Sequence, residues 1–589
     1  MKEQIVRLRK IIDQGLLILS FLCSLGVLFH IGYNTNVELE HQINRTLEIC
    51  FFVIAGALFV KTVTQFVSRS SKVTIYGETL LFIYFFAVTI ADNYYFNGSN
   101  GTQLVRPEWM FVGLYAVFII EISKKTLFFD QFYFNPTLLF VLSFLLLILL
   151  GTALLLLPKS TYDRHLSFID ALFLATSAVC VTGLSVVDIA SEFTRFGQSI
   201  LLILIQIGGL GIMTFTGFFG YFFSGGFSFK NQLMFTELIG EGKIGSVIKT
   251  LYKIIFVTLI FESVGAFGIY LTLDDTQFSS VGDEIYFAVF HAVSSFCNAG
   301  FSILTEGLNH PSFRFNYNFH LILIVLYVMG GLGFGIVFNV YEFVKRLIWN
   351  IFNKVVHRRP FIYRARIIGF NSKIIAYTTL FLIVFGFAVV FALEYNHTLS
   401  MHQTWYGKFV TALFTATTPR TAGFNTVNMS ELAFPTVMLI FLLMWIGASP
   451  GSTGGGVKVT TFALATLNIF SLVRGKQSVE IFGRRVTDDS TSRAFAIISL
   501  SLIFLGFSIF LLSITDSDKN LLSLAFESFS AYSTSGLSMG VTDKLSNSGR
   551  MVIIITMFVG RVGFLTLLIA FVKKAKPKNY LFPKEQMNL

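Results

Sequence analysis

Ala178-Val-Cys-Val-Thr-Gly-Leu-Ser-Val-Val-Asp188, Ser294-Ser-Phe-Cys-Asn-Ala-Gly-Phe-Ser-Ile-Leu304, Ala416-Thr-Thr-Pro-Arg-Thr-Ala-Gly-Phe-Asn-Thr-Val427 and Ser530-Ala-Tyr-Ser-Thr-Ser-Gly-Leu-Ser-Met-Gly540 are four versions of one element. Each closes an apolar piece of 12 to 15 residues with small and polar side chains around a glycine. Gly183, Gly300, Gly423 and Gly536 recur at intervals of 117, 123 and 113 residues, which marks an internal repeat. Each unit reads as a long apolar span, a half-length helix ending in a glycine-bearing loop, and a second long span.

The surrounding composition says what solvent these units meet. Of 589 residues, 54% are hydrophobic and 13% charged, and 69 are phenylalanine. Soluble domains carry about 25% charged residues, so a water-soluble enzyme is excluded as the first reading. Apolar runs such as Leu138 to Leu157 and Phe495 to Ile514 reach the roughly 20 residues needed to cross a bilayer core as a helix. Spans are expected near 14–33, 48–67, 76–96, 108–123, 135–157, 196–223, 247–272, 318–344, 372–395, 433–471, 494–514 and 550–572. The fold class is therefore an all-α polytopic membrane protein. Cys23, Cys50, Cys180 and Cys297 lie in or beside apolar runs without metal-ligand spacing and read as small buried residues. The first apolar run lacks a small-x-small cleavage site and is expected to be retained as a span.

The net charge of +11 is explained by its distribution. With the amino terminus placed in the cytoplasm, segments 1–13, 61–75, 123–128, 226–253, 345–373, 472–493 and 573–589 fall inside and hold 31 of the 44 Lys and Arg. This is the positive-inside asymmetry, so the charge gives no reason to expect a nucleic-acid partner, and both termini are expected to be cytoplasmic. Only Lys458 and Arg561 are then expected deep within spans. The longest basic stretch, Lys345 to Lys373, reads either as a topological anchor or as a docking surface for a cytoplasmic subunit. All four glycine loops fall on the outer side, an agreement not built into the span assignment.

Irregular backbone at membrane depth is tolerated only where it is buried in protein or lines a watery path, because lipid cannot satisfy free carbonyls. Four such loops around one axis would aim carbonyl oxygens at a central line and replace the water shell of a bare cation. Glycine permits the positive φ or close approach that this requires. The half-helices would direct their negative carboxyl ends at the same point. A pore for a monovalent cation is the sharpest reading of the repeat.

On these residues the chain resembles the Trk/Ktr/HKT superfamily of potassium transporters and channels, from about Pro136 to its end. The resemblance implies four membrane-pore-membrane repeats around one central pore. It implies selectivity-filter strands at Val181-Thr182-Gly183, Asn298-Ala299-Gly300, Thr421-Ala422-Gly423 and Thr534-Ser535-Gly536, with potassium held at their backbone carbonyls. Sodium-favouring members can carry serine in the first loop, so Gly183 implies potassium. Gly451, Ser452, Thr453, Gly454, Gly455 and Gly456 interrupt a double-length apolar stretch where the family has an intramembrane gate loop. The GSTGGGVK of this segment lacks phosphate-loop spacing and is not framed by a strand and a soluble helix. Arg561 matches a family arginine below the filter, and its charge is expected to repel cations in the closed pore and hold the gate loop. The alternative is an ion pair with a buried carboxylate such as Glu262 or Glu527. The resemblance further implies a homodimer on a separate cytoplasmic nucleotide-binding regulatory subunit, in a bacterial inner membrane, among membrane lipid.

The expected divisions are an N-terminal four-helix membrane domain, 1–130, followed by pore repeats at 131–225, 226–345, 346–475 (with the gate loop) and 476–589. The N-terminal domain's fourth span, EWMFVGLYAVFIIEISKK, lacks the arginine ladder of a voltage sensor, which favours a packing or assembly role. Asp92 and Glu121 stand within or beside these spans with no partner evident in the sequence. Asp188, Asp283, Glu284, Glu306 and Asp543 cluster near the outer ends, either to concentrate cations or as solvated loop residues. The nine histidines are scattered, with only His291 in an expected pore helix, and no HExxH or triad is present, so no enzyme is expected. Potassium uptake is the leading function, and a sodium-selective or sodium-coupled cation symporter is the alternative.

Overall fold

A computed structural model describes residues 2–33, 37–68, 72–95, 107–126, 136–162, 166–211, 247–273, 278–357, 369–476 and 478–571. The first four helices are α1 (Lys2–Gly32), α2 (Val37–Ser68), α3 (Lys72–Tyr95) and α4 (Pro107–Thr126). They bury Val27, Phe51, Ile54, Phe85, Leu114 and Val117 in a cluster of their own, with Phe51 and Phe85 stacked at 4.2 Å. Lys61, expected at a cytoplasmic span end, is instead 1% exposed inside this bundle. Its Nζ lies 2.5 Å from Asp13, 3.0 Å from Glu78 and 2.9 Å from Glu121, so each helix supplies one charged group. Glu121 thus has the partner that the sequence did not reveal. Asp92 has its side chain outside the described residues.

The rest of the chain repeats one course. The long helices α5 (Pro136–Leu155), α8 (Val247–Tyr270), α12 (Phe370–Glu394) and α16 (Asp488–Thr515) are followed by the short helices α6 (Phe168–Val179), α9 (Val281–Phe296), α13 (Trp405–Thr417) and α17 (Leu521–Ser533). The short helices start where side chains cap them: Ser167, Ser280, Thr404 and Asn520 each accept a backbone N–H of the first turn. At 1.5 Å per residue, 13 residues span roughly 20 Å against a core of about 30 Å, so such helices stop partway. They are also the most buried: Thr176, Ser177, Ser294, Ser295, Ser530 and Ser533 are 0% exposed, while Phe507, Phe510 and Ile514 on α16 are over half exposed. Hydroxyls inside and phenylalanine outside is the arrangement a lipid solvent favours.

The second helix of the second and fourth courses departs from the continuous span expected, and that of the first stops short of its expected end. Helix α7 (Arg195–Leu210) stops at Gly211, α10 (Tyr317–Leu332) at Gly333, and α18 (Asn547–Val562) at Gly563, with φ of 79°, 84° and 87°. Helix α11 (Phe334–His357) leaves α10 at a bend of 104°, and α19 (Phe564–Phe571) leaves α18 at 86°. In the third course α14 (Phe434–Trp445) and α15 (Val459–Val473) are separated by the loop 446–458. The expected spans 318–344 and 550–572 are therefore each two helices, because a glycine in the left-handed region cannot continue a right-handed helix. Beyond Gly211, the span expected to 223 lies outside the described residues. Among the described residues five helices alone are long and apolar enough to cross a membrane, or seven if each bent pair counts once.

Candidate ion pathway

The four glycine loops converge on one another. A Cβ built on Gly183 would lie 2.3 Å from the Ala299 carbonyl oxygen, and one on Gly300 would lie 2.8 Å from that of Ala422. One on Gly423 would lie 2.6 Å from the Ser535 oxygen, and one on Gly536 would lie 2.2 Å from that of Thr182. The contacts run from each loop to the next in chain order and close from the fourth to the first. All four glycines have positive φ, between 68° and 94°. Two residues earlier, Val181, Asn298, Thr421 and Thr534 have φ of 57°, 59°, 71° and 52°. Left-handed backbone at a non-glycine residue costs about 1–3 kcal/mol, so four equivalent cases mark a geometry that the surroundings enforce.

The supports are hydroxyls at the ends of the short helices. Ser177 Oγ accepts the Gly183 N–H at 3.1 Å, Ser294 Oγ donates to the Phe301 carbonyl at 2.7 Å, and Thr418 Oγ1 donates to that of Phe424 at 2.6 Å. The Thr182, Ala299 and Ser535 N–H groups bond back to the carbonyls of Ser177, Ser294 and Ser530 at 2.7, 2.7 and 2.8 Å. In the third loop the Ala422 N–H reaches the Thr418 carbonyl at 3.0 Å instead. His291 tethers its loop through Ser302 at 3.0 Å. Glu527, fully buried, does the same in the fourth by accepting from Ser538, Thr542 and the Met539 N–H.

The segment 446–458 lies against the inner ends of these loops. A Cβ on Gly454 would lie 2.3 Å from Thr421 Oγ1, and one on Gly455 would lie 2.6 Å from Thr534 Oγ1, which accepts the Gly455 N–H at 2.9 Å. Thr453 Oγ1 donates to Asn298 Oδ1 at 3.2 Å, and Asn298 Nδ2 donates to Thr421 Oγ1 at 3.0 Å. Gly451 and Gly456 turn the segment at φ of 69° and 70°. The Ser452 N–H bonds the Ser449 carbonyl at 3.3 Å, and the Phe334 N–H bonds that of Gly451 at 3.1 Å. Two cations hold its carbonyls: Lys458 Nζ donates to Gly454 at 2.7 Å, and one Arg561 nitrogen donates to Thr453 while the other reaches the Gly208 carbonyl at 2.6 Å. Among the described residues Arg561 makes no ion pair. Glu262 accepts from Gln206 at 3.2 Å, and Glu527 is engaged in its own loop, so neither carboxylate is its partner.

Several contributors escape a reading of the sequence. Gly208-Gly-Leu-Gly211, Gly330-Gly-Leu-Gly333 and Gly560-Arg-Val-Gly563 are a second repeated motif, recurring in step with the first. A Cβ on Gly208, Gly330 or Gly560 would strike the carbonyl of Val179, Phe296 or Tyr532 at 2.2, 2.0 or 1.9 Å, so each broken helix packs on the end of a short one. Arg420, counted on the outer side by charge, stands between α13 and the third loop, with a buried Nε. Of the acidic residues near the outer ends, Asp283 pairs with Arg195 and Asp188 caps the turn at Ile189–Glu192.

A polytopic chain whose half-length helices bring glycine loops and backbone carbonyls together belongs to the class of membrane cation transporters. A family model described as TrkH, cation transport protein, matches residues 113–581. The chain is 35% identical over 453 residues to the Ktr system potassium uptake protein B of Bacillus subtilis (strain 168), covering 76% of this chain and 96% of that relative. It is 33% identical over 465 residues to the potassium/sodium uptake protein NtpJ of Enterococcus hirae, covering 77% of this chain and 97% of that one. The crystal structure of the potassium transporter TrkH from Vibrio parahaemolyticus shares the fold, with a TM-score of 0.59 at 18% identity over 90% of this chain and 98% of that one. The protein belongs to the Trk/Ktr/HKT superfamily; it is a cation transporter and not an enzyme.

Proposed function

We propose that the chain carries potassium across the cell membrane through a selectivity filter built by its four repeats. In this reading 131–225, 226–345, 346–475 and 476–589 are the repeats, the strands ending at Gly183, Gly300, Gly423 and Gly536 supply the carbonyl ligands, and residues 451–456 with Arg561 form the gate. The observation that carries it is the closed succession of glycine-to-carbonyl approaches, in which every loop meets the next. Carbonyl oxygens gathered around a line replace a monovalent cation's hydration. Gly183 in the first loop and the potassium named for the relatives favour potassium. A sodium-transporting reading is kept because one relative is named for both ions.

The membrane is bacterial and both termini face the cytoplasm, as the charge distribution orients them. The functional unit is a homodimer, set among lipid, on a separate nucleotide-binding regulatory subunit that contacts the basic surfaces at 345–373, 226–253 and 472–493. The N-terminal four helices, 1–130, are an added packing or assembly domain. Purified protein in liposomes tests the reading. Tracer rubidium uptake should be displaced by outside potassium at much lower concentration than by sodium. Equal displacement by the two ions would refute the potassium filter.

A further inference from the structure

Behind the third glycine loop, residues of α10, α12 and α13 line a cavity of about 20 Å³, bordered by Tyr327, Thr379, Thr417, Arg420 and Ala448. Its volume suits one guest of the size of a water molecule or a monatomic ion, since a water needs about 10–15 Å³ by the same measure. Its wall carries unused hydrogen-bonding capacity. Arg420 Nε is buried without a partner, and so is Thr379 Oγ1, whose residue is 5% exposed. Tyr327 and Thr417 are already joined at 2.6 Å, with Thr417 donating to the Leu413 carbonyl at 2.7 Å. Among the described residues no carboxylate pairs with Arg420, and no acidic residue borders the cavity.

An arginine set inside a membrane domain without a counter-charge is costly. A guest that accepts from both the guanidinium and Thr379, carries a negative charge and fits the volume would remove that cost. We infer that this cavity binds a small inorganic monovalent anion of the halide class, as counter-ion to Arg420, with Thr379 as its second donor. The cavity borders the third glycine loop at Arg420 and the loop 446–458 at Ala448, but no residue assigned to the filter strands or the gate lines it. It therefore stands or falls independently of the potassium reading.

Bromide is the probe. The full chain is crystallised with bromide replacing chloride, and data are collected at the bromine absorption edge. An anomalous peak within hydrogen-bond distance of the Arg420 guanidinium and Thr379 Oγ1 is expected in the wild type. It should be lost in Arg420→Gln and weakened several-fold in Thr379→Val, which keeps the side-chain shape and serves if the arginine variant does not fold. An empty or water-filled cavity in wild-type crystals, or a peak undiminished in both variants, would overturn the inference.

Discussion

Replacing Arg561 by methionine keeps an unbranched apolar stem and removes the guanidinium, and with it both the charge and the donors. In the wild type one guanidinium nitrogen holds the Thr453 carbonyl of the loop, and the other is anchored on Gly208 of α7. Only the first bond restrains the loop; the second aims the arginine. A hydrogen bond from a charged donor contributes about 1.5–3 kcal/mol net. Losing one such bond shifts the held-to-released ratio of the loop by roughly 10- to 150-fold, at tenfold per 1.4 kcal/mol. The remaining restraints, Lys458 on Gly454 and the Gly455 N–H on Thr534, keep the loop in place part of the time, so the effect is graded. Initial tracer rubidium uptake into liposomes should rise at least several-fold for Arg561→Met. Arg561→Lys, which keeps the charge but reaches one carbonyl at a time, should fall between. An unchanged uptake rate in Arg561→Met protein that elutes and melts like wild type would refute the restraint.

Lys458→Met removes the bond to Gly454 and should raise uptake by a smaller factor than Arg561→Met; in the double variant the rise should exceed that of either single variant and reach at most the product of the two if the bonds restrain the loop independently, which the four initial rates of a mutant cycle measure. Gly183→Ser puts a Cβ against the Ala299 carbonyl at a φ of 94°, so the loop must shift; the potassium-over-sodium preference in tracer competition should fall, with a lower maximal rate. Lys61→Met leaves Asp13, Glu78 and Glu121 without their common cation, and breaking such a buried pairing costs about 3–5 kcal/mol. The melting temperature in detergent should drop, and adding Glu121→Gln should recover part of it.

The half-length helices were legible because a bilayer imposes a length, and 12 to 15 apolar residues are visibly too few. Their glycines were legible because four copies in register stand out where one tripeptide would not. The breaks at Gly211, Gly333 and Gly563 were hidden because the residues after them stay apolar: hydropathy runs through a bend of 86° or 104° without a mark. Counting Gly-Gly-Leu-Gly beside Gly-Arg-Val-Gly would have exposed them. Lys61 and Glu121 were unreadable for a different reason. Four helices each place one charged group at one point, and no local pattern in sequence records which faces of separate helices meet.

In the proposed four-repeat pore, the asymmetry among the repeats is where control of the pathway would lie. Identical units produce a symmetric ring of carbonyls, and nothing in such a ring distinguishes open from closed. Two units depart from the common pattern at the same depth. In the third, the break after α14 is expanded into 446–458; in the fourth, Arg561 takes the place held by Gly209 and Gly331. A side chain at Gly209 would meet Cys297 Sγ at 2.5 Å, so the first unit has no room for an arginine. The insertion and the arginine contact each other, through the Thr453 carbonyl, and each is of little use alone. A loop without a cation to hold its carbonyls would leave polar backbone unsatisfied at membrane depth, and an arginine without the loop would lose one of its two acceptors and keep only the Gly208 carbonyl. In a background lacking Gly451–Gly456, Arg561→Met should therefore no longer change the uptake rate, whereas an arginine acting only by its charge on passing ions would still give a difference between the two proteins.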